Sequence, residues 1–138
     1  MVSEFRLKRR VLFYETDLAG IVHFSCYFRY MEEAEHALWR EAGISIAPKG
    51  AEIGFPRVSV KFDYHRPLRF EDEFQVWIRV TCLSETTISY QCELTSGASR
   101  IATGALTIAC VRTRPHEPLR PMPIPQDIVS RFEIYRGE

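Results

Sequence analysis

One segment constrains the fold more than any other: residues 27–42 carry apolar side chains at helical spacing. The apolar positions are Tyr27, Tyr30, Met31, Ala34, Leu38 and Ala42. Residues that recur every three or four positions share one face of an α-helix, so this spacing predicts an amphipathic helix. Ser25 is placed to cap its start, and Gly43 to end it in a left-handed conformation. Such a helix requires an apolar surface against which its stripe is buried.

Alternating apolar and polar residues predict five strands around this helix. They cover residues 5–14, 58–64, 74–81, 88–94 and 101–111. Side chains of a strand point alternately to its two faces, so alternation gives a strand one apolar face. Residues 101–111 are apolar at nearly every position, which predicts burial on both faces. One strand, a long helix and four strands joined by tight turns predict an α+β fold, with one antiparallel sheet wrapped around the helix.

Length and charge limit the possible classes of protein. We expect residues 1–138 to form one domain, with a proline-rich tail over 115–138 that includes a short helix. The 18 basic residues balance the 18 acidic ones, which argues against nucleic-acid binding. No segment approaches the roughly 20 apolar residues of a membrane span, and basic residues interrupt the apolar positions near the start. A cytoplasmic protein is therefore expected.

The motifs of several well-known hydrolases are absent from the sequence. It contains no G-x-S-x-G, no glycine-rich phosphate loop and no H-E-x-x-H. Its cysteines and histidines lack the spacing of zinc ligands, so no metal site is predicted. The segment with the most suggestive chemistry is 14–27, where Asp17 stands in a polar turn ahead of the helix.

Asp17 has two interpretations from the residues alone. It is either a turn residue that binds nearby backbone amides or a catalytic carboxylate. The start of a helix offers free N–H groups and the positive end of the helix dipole. A carboxylate beside such donors lies near groups that can polarise a carbonyl.

Residues 14–30, with the sequence YETDLAGIVHFSCYFRY, resemble the signature of the 4-hydroxybenzoyl-CoA thioesterase family, which has the hotdog fold. The Tol-Pal-associated acyl-CoA thioesterases share this signature. Residues 62–73, FDYHRPLRFEDE, extend the resemblance, which covers nearly the whole chain. It implies a hotdog fold and hydrolysis of a thioester to a free acid and coenzyme A. Coenzyme A is then part of the substrate, so no separate cofactor is implied.

The resemblance also implies roles for individual residues. Asp17 takes the position of the family's catalytic carboxylate, and amides near Phe24 hold the thioester oxygen. The candidate substrate-binding residues are Gly20, His23, Phe24 and Tyr27. The Tol-Pal-associated branch often has a histidine in place of Phe24, whereas the hydroxybenzoyl-CoA branch has phenylalanine. Members are at least dimers with a site between two subunits, so a homodimer or homotetramer is expected.

Several alternatives stay open. Asp17 either attacks the carbonyl to form a mixed anhydride or activates a water as general base. The acyl carrier is either coenzyme A or a carrier protein. The main alternative function is a hotdog module that binds an acyl-CoA or acyl-carrier thioester without hydrolysing it. A hotdog dehydratase is disfavoured because no local pattern matches its proton-transfer residues.

Two groups of charged residues are secondary candidates. Another branch of hotdog thioesterases has its carboxylate on the helix, where this chain has Glu32, Glu33 and Glu35. We expect these three on the solvated face of the helix. Arginine forks suit the phosphates of coenzyme A, but a solvated strand face is the expected setting of the basic residues. Those residues are Arg57, Lys61, Arg66, Arg69, Arg112 and Arg114.

Overall fold

A computed structural model describes residues 1–137, and Glu138, the last residue of the predicted domain, lies outside the described residues. The main sheet contains β1 (Glu4–Arg10), β3 (Arg57–Tyr64), β4 (Glu73–Leu83), β5 (Thr87–Ser96) and β6 (Ser99–Ala109). Three short strands form a second sheet: β2 (Ile53–Gly54), β7 (Val111–Arg112) and β8 (Arg120–Pro121). The helices are α1 (Cys26–Glu41) and α2 (Gln126–Val129), and a 3₁₀ turn spans Phe13–Glu15.

The five-stranded sheet has the order β1-β4-β5-β6-β3, and all its neighbours are antiparallel. Helix α1 is inserted in sequence between β1 and β3, the two edge strands, and packs on one face of the sheet. The predicted arrangement of one antiparallel sheet around one long helix is confirmed. Within residues 1–137, no helix is long and apolar enough to cross a membrane.

The core lies between α1 and the sheet. Every residue of the predicted helical stripe is buried except Ala42, which is half-buried. The opposing sheet face supplies the alternate residues Phe74, Val76, Ile78, Val80, Ile88, Tyr90, Cys92 and Leu94. Trp39 joins the two layers, because its indole N–H donates to the Tyr90 hydroxyl at 2.9 Å. Burial of these large side chains is the main source of stability of the fold.

The C-terminal tail belongs to the same core. Ile124, Ile128 and Phe132 are buried in it. The Val2 N–H also donates to the Arg131 carbonyl at 2.9 Å, which fixes the tail beside β1. The helix predicted in this tail is a single turn, α2.

Three local predictions were wrong. Strand β1 ends at Arg10, because the chain then turns into the 3₁₀ segment and the Val11 N–H donates to Asp72 at 3.0 Å. Strand β6 alternates buried and half-buried residues over its second half rather than being buried on both faces. The Ser25 side chain caps no amide of α1, since its hydroxyl lies 2.7 Å from the His23 Nδ1. By contrast, Gly43 adopts the predicted left-handed conformation, with φ +86°.

One close approach fixes how the edge strand β3 packs. Gly104 in β6 lies opposite Phe62 in β3. A Cβ at Gly104 would lie 2.7 Å from the Phe62 Cε1, so only glycine leaves room for the ring. The Phe62 ring in turn contacts Phe28 on α1, with centroids 5.1 Å apart.

Candidate active site

Asp17 lies in a tight turn between the 3₁₀ segment and α1. The Gly20 N–H donates to the Asp17 carbonyl, and the Ala19 N–H donates to the Asp17 Oδ1, both at 2.9 Å. Gly20 has φ +79°, a conformation that glycine adopts without strain. Asp17 Oδ2 has no hydrogen-bond partner among residues 1–137. The turn therefore holds the carboxylate through one oxygen and leaves the other available.

The segment before the turn is anchored by a buried acid, Glu15. Its carboxylate accepts hydrogen bonds from the Leu12 N–H at 2.8 Å and the Tyr30 hydroxyl at 3.0 Å. It also forms an ion pair with Arg9, at 2.8 Å. Burial alone would raise the pKa of Glu15, but the Arg9 guanidinium and the other two donors lower it below its ordinary value. Glu15 is therefore a charged, fully engaged carboxylate two residues from Asp17.

Backbone amides converge where α1 begins. The His23 N–H donates to the Glu15 carbonyl at 2.8 Å, and the Cys26 N–H donates to the His23 carbonyl at 2.9 Å. The Phe24 N–H, between them, has no acceptor within residues 1–137. The Tyr64 hydroxyl donates to the Phe24 carbonyl at 3.0 Å and so ties this peptide to β3. A free donor thus lies at the positive end of a helix of 16 residues.

A cleft of about 450 Å³ joins these features. It is lined by Asp17, Ile21, Val22, Phe24, Tyr27, Tyr64, His65, Arg66 and Pro67. The Tyr27 and Tyr64 rings meet edge to face, with centroids 4.9 Å apart. Burial raises the pKa of both phenols, so they are neutral donors at physiological pH. The volume and the mainly apolar lining with few polar groups are typical of a small-molecule site.

A groove of about 600 Å³ at the ends of β1 and β4 has a different character. Two of its arginines are engaged in ion pairs, since Arg10 pairs with Glu73 within the groove and Arg9 pairs with Glu15 outside it. Glu73, the one carboxylate among the described residues that line it, is paired with Arg10. The Asp17 cleft is therefore the better candidate for chemistry.

The profile of the thioesterase-like superfamily matches residues 11–132. This chain belongs to the thioesterase-like superfamily. The resemblance found in the sequence is thereby confirmed, and the chain is a thioester hydrolase.

Individual relatives agree with this membership. The acyl-CoA thioester hydrolase YbgC of Escherichia coli (strain CFT073) is 24% identical over 133 residues, 94% of this chain and 96% of the relative. The 1,4-dihydroxy-2-naphthoyl-CoA hydrolase of Synechococcus elongatus is 26% identical over 124 residues, 86% of this chain and 90% of the relative. The crystal structure of Slr0204, a 1,4-dihydroxy-2-naphthoyl-CoA thioesterase from Synechocystis, superposes with a TM-score of 0.84. At 20% identity, with 93% of this chain and 94% of that chain covered, it shows the shared hotdog fold.

The structure brings together some of the site residues predicted for this thioesterase. Asp17, Phe24 and Tyr27 line the cleft. Gly20 closes the Asp17 turn instead of lining the cleft. The His23 ring also lies outside the lining, where its Nδ1 faces Ser25 and its plane stacks on Phe24 at 4.6 Å. Gly20 thus contributes to the shape of the turn through its backbone, whereas the His23 ring contacts Ser25 and Phe24.

Tyr64 and His65 are cleft residues that sequence reasoning did not single out. Tyr64 is the last residue of β3 and His65 follows it, both in the run 62–73 that extends the resemblance to the family. That run was the available signal. Glu15 gave no signal, because an acid in a polar turn is usually solvated.

The carboxylates of α1 are not all solvated as predicted. Glu35 is fully buried, and its carboxylate pairs with Arg57 at 2.5 Å and with the Tyr90 hydroxyl. Burial raises the pKa of Glu35 above its ordinary value, although Arg57 and Tyr90 act in the opposite direction. Glu32 is exposed beside Arg57, and Glu33 is half-buried beside Arg9. None of the three lines the Asp17 cleft.

Most of the basic candidates are engaged elsewhere. Arg57 is held by Glu35 and Glu32. Other pairs are Lys61 with Asp63, Arg112 with Glu117, and Arg114 with Glu52. Arg66 alone among the six lines the cleft. Residues 1–137 contain no cluster of three His, Cys, Asp or Glu residues arranged to hold a metal ion.

Proposed function

We propose that this thioesterase hydrolyses acyl-CoA esters, with Asp17 as the catalytic carboxylate and the Phe24 N–H as the donor to the thioester oxygen. The observation that carries the proposal is that Asp17 and Phe24 line the same cleft, one bearing an unpaired carboxylate oxygen and the other an unpaired amide. The names of the Escherichia coli and Synechococcus relatives support coenzyme A as the thiol carrier.

The geometry suits either of two routes. In the first, Asp17 Oδ2 attacks the carbonyl carbon, the C–S bond breaks and the coenzyme A thiolate leaves, which produces a mixed anhydride that water cleaves. In the second, Asp17 takes a proton from a water whose oxygen attacks the carbonyl, and the departing thiolate is then protonated. In both routes the carbonyl oxygen gains negative charge beside the Phe24 N–H. Losing one such donor typically costs roughly 3 kcal/mol of transition-state stabilisation.

The cleft favours an aromatic acyl group. Phe24, Tyr27 and Tyr64 present ring surfaces to it, and aromatic rings pack well edge to face or offset against one another. The Synechococcus relative is named for an aromatic acyl-CoA. Higher kcat/KM for benzoyl-CoA than for octanoyl-CoA is the expected outcome.

A homodimer formed through β3 completes the site in this proposal. Strand β3 is an edge strand, bonded within the described chain only to β6. Its apolar residues Val58 and Val60 are 58% and 46% exposed, and Val60 lies on the same strand face as the cleft residue Tyr64. Pairing of β3 with a second copy would cover these residues and place the partner beside the cleft. A homotetramer would consist of two such dimers. Sedimentation equilibrium, with Val60→Asp as the disrupting variant, tests this assembly.

The catalytic assignment is tested by thiol release from benzoyl-CoA, octanoyl-CoA and an acyl-carrier thioester. Asp17→Asn keeps an oxygen for the Ala19 N–H, so the turn is expected to persist. It should lower kcat/KM by at least about 10²-fold without changing the circular dichroism spectrum. The matched control is Asp127→Asn, an exposed aspartate on α2, which should retain full activity. Near-normal turnover by folded Asp17→Asn would refute the assignment.

A further inference from the structure

We infer that Glu15 is a positioning residue that sets the distance between the Asp17 carboxylate and the Phe24 amide. This inference rests on the proposed function, because it assumes that these two groups act on the thioester. Glu15 does not line the cleft, so it acts through its neighbours. It is 5% exposed, one of only two charged side chains buried within residues 1–137.

The side chain of Glu15 joins three separate parts of the fold. Arg9 on β1 binds both of its oxygens, with Nη1–Oε1 and Nη2–Oε2 distances of 3.0 and 2.8 Å. The Leu12 N–H approaches from the start of the 3₁₀ turn at 2.8 Å, and the Tyr30 hydroxyl from α1 at 3.0 Å. A buried carboxylate with four donors is fixed in position, since any displacement breaks hydrogen bonds that water cannot replace.

The backbone of Glu15 connects this anchor to the proposed donors. Its carbonyl accepts the His23 N–H at 2.8 Å, next to the unpaired Phe24 N–H. Two residues further along, the Asp17 N–H donates to the Ile21 carbonyl at 2.9 Å and begins the catalytic turn. One residue therefore fixes both ends of the segment on which the carboxylate and the oxyanion donor lie.

The expected consequence is a loss of rate rather than of substrate affinity. Displacement of a reacting group by 1 Å can cost about 10²-fold in rate. Glu15→Ala removes the anchor, and we expect kcat to fall at least about 10-fold, with KM changed by less than about 3-fold. Glu15→Gln keeps an oxygen for Leu12 and Tyr30 but loses the charge opposite Arg9, so its kcat should lie between those of Glu15→Ala and the wild type.

The experiment is a double-mutant cycle in the full chain, with benzoyl-CoA in single-turnover thiol release. Glu15→Ala and Glu15→Gln are made in the wild-type and in the Asp17→Asn background. The matched control is Glu33→Gln, because Glu33 binds the same arginine at 2.8 Å from α1 but has no contact with the turn. Hydrogen exchange of a peptide covering residues 12–24 gives a readout independent of activity.

If Glu15 acts through Asp17, Glu15→Ala slows the wild type at least about 10-fold but the Asp17→Asn background less than about 3-fold. Exchange over residues 12–24 should also become faster, and Glu33→Gln should leave kcat unchanged. An equal rate loss in both backgrounds, or a normal kcat in Glu15→Gln and Glu15→Ala, would overturn the positioning role alone. A normal rate in Asp17→Asn would instead overturn the catalytic assignment and this inference with it.

Discussion

The ion pair of Glu35 and Arg57 joins α1 to the edge strand β3, and its two ends differ in exposure. The Glu35 side chain is 0% exposed, whereas that of Arg57 is 30% exposed. Arg57 also has Glu32 within 3.3 Å, so it keeps a partner and some water if Glu35 is neutralised. Without Arg57, the Glu35 carboxylate would keep only the Tyr90 hydroxyl and the His36 Nε2, which lies 4.0 Å from its Oε1. The two single substitutions should therefore differ in cost.

Arg57→Met leaves an uncompensated buried carboxylate, which typically costs about 3–5 kcal/mol of unfolding free energy. Glu35→Gln keeps a hydrogen-bonding group of similar size and leaves a cation that is partly solvated, so about 1 kcal/mol is expected. The total free energy of unfolding of a typical domain is only about 5–15 kcal/mol. Urea unfolding at fixed protein concentration measures both changes. Arg114→Met, which breaks a pair with the exposed Glu52, is the control and should cost less than about 1 kcal/mol.

The cost of Arg57→Met should also depend on pH. The folded pKa of Glu35 is raised above 4.5 by burial, and Arg57 opposes that rise, so its removal raises the pKa further. A carboxyl with a raised folded pKa loses stability as pH rises from the unfolded to the folded value, by about 1.4 kcal/mol per unit. The free energy of unfolding that Arg57→Met loses relative to the wild type should thus be smaller near about pH 5 than near about pH 8. The reasoning would be refuted if the stability lost in Arg57→Met did not depend on pH. It would also be refuted if Glu35→Gln lost more unfolding free energy than Arg57→Met.

Three further outcomes are expected. Gly104→Ala should destabilise the chain by about 1–3 kcal/mol through the clash with Phe62, and Phe62→Leu in the same chain should recover part of that loss in urea unfolding. Tyr64→Phe removes the hydrogen bond to the Phe24 carbonyl, worth about 1 kcal/mol, so kcat for benzoyl-CoA should fall up to about 5-fold. Glu15 has a lowered pKa, so it stabilises the fold above the ordinary glutamate value and loses that contribution as pH falls. Thermal unfolding of Glu15→Gln should therefore depend less on pH below about 4.5 than that of the wild type.

The helix, the strands and the turn glycines could be predicted because their signals are local. The stripe from Tyr27 to Leu38 repeats at the helical period, and the glycine at 43 ends the helix in the expected left-handed conformation. Resemblance to the family indicated the carboxylate at Asp17, which does line the cleft. Its catalytic role and the roles of Gly20 and His23 stay predictions.

Errors arose where a distant partner decided the outcome. Glu35 follows the polar pattern of α1 yet is buried, because Arg57 and Tyr90 arrive from other strands to satisfy its charge. Ser25 is the exception: serine is a common capping residue, but the His23 ring, only two residues away, binds its hydroxyl instead. The prediction that β6 is buried on both faces was wrong, because the described chain supplies a covering layer on only one side of the sheet.

The sequence by itself determined the helix, the strands and the family, because periodicity, turn chemistry and the signature of residues 14–30 are properties of neighbouring residues. Only the tertiary structure decided which strands lie at the edges of the sheet and which acidic residues are buried. It also decided that Tyr64 and Asp17 line the same cleft. The physical reason is that charge burial and cleft shape depend on groups far apart in the chain. Arg57 and Glu35 are separated by 22 residues and Tyr64 and Phe24 by 40, and no local pattern encodes those contacts.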